Sequence, residues 1–109
     1  MAKTINFNYN GEDYCLEFTR RTVREMEGEG FRLRDVKDKP VTSIPVLFSG
    51  AFKCHHKRIK EEVINGIYAS ITDKEELMGK LLEMYTYAMN SLFDEPDDDE
   101  KNVEWTANF

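Results

Sequence analysis

The chain has 109 residues and a mass of 12.8 kDa, is 40% hydrophobic and 33% charged, and carries seven Phe, five Tyr and one Trp. That composition suits one compact domain and excludes a collagen-like or wholly disordered chain. The net charge is −6, and no apolar run approaches the ~18 residues that a membrane-crossing helix needs.

The charge is unevenly placed. Residues 1–93 hold 14 acidic and 14 basic side chains, whereas residues 94–109 hold seven acids against Lys101 alone. A balanced body lacks the surplus of Lys and Arg that neutralises phosphates or docks on an anionic bilayer, so neither nucleic acid nor membrane is an expected partner. Met1-Ala2-Lys3-Thr4-Ile5-Asn6 has none of the apolar stretch of an export signal. The expectation is a cytoplasmic protein in which Cys15 and Cys54 stay reduced.

Taken in chain order, residues 3–18 predict a β-hairpin. Ile5, Phe7 and Tyr9 alternate with polar residues, Asn10-Gly11 suits a type I′ turn, and Tyr14, Leu16 and Phe18 alternate again. An isolated hairpin is marginal in water, so its aromatic face must lie on something apolar. Thr19 is placed to cap a short helix over about 20–29, with Gly30 at its end. Residues 31–39 read as a loop with at most a brief turn.

Ser43 with Pro45 just inside predicts a second helix, about 44–56, with Ile44, Leu47, Phe48, Ala51, Phe52 and His55 on one stripe. A third helix over about 58–70 aligns Ile59, Val63, Ile67 and Tyr68. Thr72 or Asp73 opens a fourth, about 73–93, with Glu75 and Glu76 favourably placed at its positive end. Its apolar stripe, from Leu77 to Phe93, is wider than the ~100° of an ordinary surface helix. Such a helix is either buried among several neighbours or shares a second face with another chain. Beyond it, residues 94–109 predict an acidic, disordered tail in which Val103, Trp105 and Ala107 alternate as a short terminal strand would. The fold expected is therefore α+β: a hairpin packed on about four helices in one domain, 1–93, followed by that tail.

Signs of chemistry are sparse. Cys54-His55-His56 offers ligand types for a metal, but neighbours on a helix point roughly 100° apart and cannot converge on one ion. On that reading His55 completes the apolar stripe, His56 is solvated, and no metal site is expected. Ser43, Ser49, Ser70 and Ser91 lie in no Gly-x-Ser-x-Gly elbow, and no glycine loop is followed by Lys-Ser/Thr. No catalytic residue, cofactor or enzymatic activity is expected. The basic clusters Arg20, Arg21, Arg24 and Lys53, Lys57, Arg58, Lys60 are interleaved with glutamates, as on a solvated helix face.

Several segments together resemble the tail assembly chaperones of long-tailed, siphovirus-type phages and prophages. They are the aromatic hairpin running into Phe18-Thr19-Arg20-Arg21-Thr22-Val23-Arg24-Glu25-Met26-Glu27, then Gly30-Phe31, and Leu47-Phe48-Ser49-Gly50-Ala51-Phe52 with His55-His56. Lys74-Glu75-Glu76-Leu77, Leu82-Glu83-Met84-Tyr85 and the acidic end with a late Trp complete the likeness. The resemblance implies a non-enzymatic protein that coats the tape-measure protein in the host cytoplasm, keeps it soluble, helps recruit the tail tube protein, and is absent from the mature virion. It leaves a homo-oligomer open. An apolar helix face with flexible Met side chains suits that task, which makes Met78, Tyr85, Met89, Leu92, Phe93 and Trp105 the expected partner-binding residues. Two alternatives remain: an acidic phage or mobile-element protein that inhibits a host nucleic-acid enzyme by charge mimicry, and a minor structural component of the virion.

Overall fold

The computed structural model describes residues 3–94 and 103–109. The acidic run 95–100, expected to be disordered, lies outside the described residues. Strand β1 (Ile5–Tyr9) pairs antiparallel with β2 (Glu12–Leu16), with Ile5 opposite Leu16 and Phe7 opposite Tyr14. Asn10 and Gly11 turn between them with φ of 52° and 86°. Both angles are positive, as a type I′ turn requires, and Asn and Gly tolerate that region best. The hairpin's apolar face lies against helix α3 (Pro40–Phe52), where the Phe52 ring meets Phe7 and Tyr14 edge-on at 6.5 and 6.0 Å.

Helix α1 (Arg20–Gly28) starts where the sequence predicts. The Thr19 hydroxyl accepts from the backbone N–H of Thr22, and the Thr22 hydroxyl accepts from that of Thr19, closing a reciprocal cap. Val23 and Met26 face the core. Gly30, at φ 98°, ends the segment in the left-handed region that glycine adopts freely.

Among the described residues the α-helices number five, where about four were expected. Residues 35–38, expected as loop, form a one-turn helix, α2 (Asp35–Asp38), pinned by buried Val36. Helix α3 begins at Pro40, three residues before the expected Ser43 cap. Proline at the first helical position needs no N–H partner, and it keeps Lys39 out of helical geometry, which separates α2 from α3. Pro45 sits inside the helix, where the bond it cannot donate would reach exposed Val41, within reach of water. The helix stops at Phe52, not 56, and Lys53, Cys54 and His55 form a turn. Apolar periodicity continues past Phe52, but the hairpin rings that cover Phe52 reverse the chain there.

Helix α4 (Glu61–Ser70) starts three residues later than expected, with Ile64 and Ile67 buried. Helix α5 (Lys74–Asn90) begins after Asp73, a non-glycine residue at φ 57°, and continues into a 3-10 turn at Ser91–Phe93. The wide stripe of α5 divides. Leu81, Met84, Tyr85 and Ala88 are buried, while Leu77, Met78 and Leu82 half-cover the core beside them. Each fully buried large side chain stabilises the fold by about 1.5–3 kcal/mol.

The expected terminal strand does not form. Residues 103–109 have no regular structure and are exposed, because β1 and β2 make a two-stranded sheet that they do not join.

Candidate functional site

The end of α5 carries the strongest surface anomaly. Met89 is 38% exposed, Leu92 64% and Phe93 83%. Their spacing of three and four residues sets them on one face of the helix and the turn that extends it. Met89 also borders a groove of about 430 Å³, lined with it by Phe31, Leu33 and Tyr85, with Glu27, Arg32 and Arg34 at its polar rim. Phe31 forms the floor because the loop after α1 folds back, its N–H bonded to the Met26 carbonyl at 3.0 Å.

Of the expected partner-binding residues, Met89, Leu92 and Phe93 come together at this end. Tyr85 does not belong with them. It is 1% exposed, clamped edge-on between Phe18 at 5.2 Å and Phe31 at 5.3 Å, so it is core and only closes the bottom of the groove. Burial, with a smaller push from the Glu27 carboxylate, raises its phenol to about 12. Met78 is half-buried against the core and lies about 16 Å down the helix axis from Met89, at about 1.5 Å per residue. Trp105 is 80% exposed in the segment without regular structure.

A second groove, about 440 Å³, runs between the outer edge of the hairpin and the α4–α5 junction. Ile5, Phe7, Tyr9, Ile67, Ile71 and Leu77 line it, with Asp73, Glu76 and Lys80 at its mouth. Sequence reasoning missed it, although the half-buried face of β1 was a signal: the Phe52 ring meets Phe7 and Tyr14, while Ile5 and Tyr9 line the groove.

The third feature lies where β2 meets the turn after α3. The backbone N–H of Glu17 donates to the Ala51 carbonyl at 3.0 Å, joining the two segments. His55 is exposed and its Nε2 lies 2.7 Å from Glu17 Oε1. His56 is half-buried, its ring tilted against Tyr14 and edge-on to Phe52, and its Nε2 accepts from the Cys15 N–H at 3.0 Å. The two histidines thus exchange their expected roles, since the stripe ends at Phe52 and the turn rotates His55 outward. Cys15 and Cys54 are free thiols, both held up by burial first and by the Glu17 carboxylate second.

None of the described helices is long and apolar enough to cross a membrane. No curated protein and no solved structure matches the chain. One family model matches, however, and it spans residues 1–109. The full length of the chain therefore belongs to the family described as a domain of unknown function, DUF5055.

Proposed function

We propose that this protein is a non-enzymatic tail assembly chaperone that holds the helical tape-measure protein of a phage or prophage in soluble form before the tail tube is built around it. The observation that carries the reading is the apolar end of α5, where Met89, Leu92 and Phe93 are exposed and Met89 lines the Phe31–Tyr85 groove. An amphipathic helix presents apolar anchors at spacings of three and four, and such a face accepts them. Thioether side chains adapt to varied partner sequence, as a client hundreds of residues long demands. The resemblance across the hairpin, α1 and α3 supplies the client's identity.

Co-expression tests the reading. The tape-measure protein encoded with this chain is expected to be insoluble alone and soluble with it, and the pair to co-purify. Purified virions are expected to lack the chain. A tape measure equally soluble without it, or a stoichiometric copy in the particle, overturns the proposal; the latter result identifies a minor virion component.

A further inference from the structure

We propose that Glu17, Cys54 and His55 form a binding site for a divalent transition ion of the Zn²⁺ class, with one coordination position left to solvent. This site is independent of the α5 surface and of the chaperone reading.

The three donors converge from two segments. Along β2 and just beyond it, Leu16 and Phe18 point into the core, so Cys15 and Glu17 point to the opposite face. The turn after α3 crosses that face, held by the Glu17–Ala51 backbone bond. It brings one ligand atom each from Glu17, Cys54 and His55 to within 4.8 Å of one another. Because residues 53–55 are a turn and not a helix, the rule that adjacent side chains diverge does not apply.

The dimensions fit. Bonds of about 2.3 Å to sulfur and about 2.0–2.2 Å to nitrogen and oxygen space the donors of a tetrahedral ion about 3.3–3.7 Å apart. The Glu17–His55 contact at 2.7 Å must open slightly and the wider separations must close by about an ångström. Half-exposed side chains at the end of a strand and in a turn make such adjustments by rotamer changes. The donor chemistry selects the ion as well: a thiolate with an imidazole favours Zn²⁺ over Mg²⁺ or Ca²⁺, which take oxygen ligands. His55 is 42% exposed, which gives the ion an entry path and a place for water. His56 is not a ligand, since its Nε2 is occupied by the Cys15 N–H and its ring is packed against Tyr14 and Phe52. A bound ion would clasp the hairpin to the exit of α3.

Titration of the reduced, chelator-treated full chain with Co²⁺ tests this directly. The expected result is one equivalent bound, a thiolate-to-cobalt charge-transfer band, and its displacement by Zn²⁺. Cys54→Ser should abolish the band. Loss of groups that merely orient a ligand weakens metal sites about 10–100-fold, so His55→Ala and Glu17→Gln should each weaken binding by at least about tenfold. Cys15→Ser should retain the band, and circular dichroism identifies any variant that fails to fold. In addition, Zn²⁺ should shift the amide resonances of Glu17, Cys54 and His55 in the unmodified protein. Absence of a thiolate band in the unmodified protein overturns the proposal, as does a band that survives Cys54→Ser.

Discussion

The backbone N–H of Cys15 donates to Nε2 of His56 across 41 residues of sequence, at 3.0 Å. That bond fixes the neutral imidazole with its proton on Nδ1, and it staples β2 to the segment that follows α3. His56→Phe keeps an aromatic ring against Tyr14 and Phe52 but leaves the Cys15 N–H without its acceptor. The expected cost is about 1–3 kcal/mol, read as a lower urea midpoint at unchanged m-value. An unchanged midpoint would show that the bond contributes nothing.

Helices α1 and α3 approach each other at Gly50. A Cβ added there would lie 2.5 Å from Sδ and 2.7 Å from Cε of Met26, which is itself buried. Gly50→Ala is expected to destabilise by less than about 1 kcal/mol, because the clash falls on the flexible end of buried Met26 and the gain in helix propensity offsets much of its cost. In a Met26→Ala background the same substitution should become neutral or stabilising. Thermal melts of the four proteins decide it, and additive effects would contradict the close approach.

Tyr85 makes the fold sensitive to alkali. Burial, reinforced by Glu27, raises its phenol from the usual 10 to about 12. Between those values the folded chain holds a proton that the unfolded chain releases, so stability is complete below pH 10 and falls as the pH climbs towards 12. A spectrophotometric titration of tyrosinate should show one late component, absent in Tyr85→Phe. Absence of that late component would place Tyr85 in water.

Local signals made the hairpin and the first helix legible in the sequence. Asn10-Gly11 has one favoured conformation between alternating strands, and Thr19 caps α1 through its neighbour Thr22 alone. The ends of α3 were not legible, because they depend on distant partners: Phe52 is covered by rings from the hairpin, and the chain reverses so that His56 meets Cys15. The same cause exchanged the roles of His55 and His56 and concealed the convergence on Glu17. On α5, periodicity showed a wide apolar stripe but not its division. Tyr85 and Met89 are four residues apart on one face, yet Phe18 and Phe31 cover the first and leave the second open.

On the function proposed above, the exposed end of α5 is lent to a helical client. The most direct measurement of this is co-purification of the tape-measure protein with the double variant Met89→Asp, Phe93→Asp. Phe93 is mostly exposed but Met89 only 38% so; the variant should fold with an unchanged circular dichroism spectrum and lose about 1 kcal/mol, as an average substitution does. Burying two carboxylates against an apolar helix face should then abolish capture of the client. A folded double variant that still captures the tape measure at full yield would contradict the account.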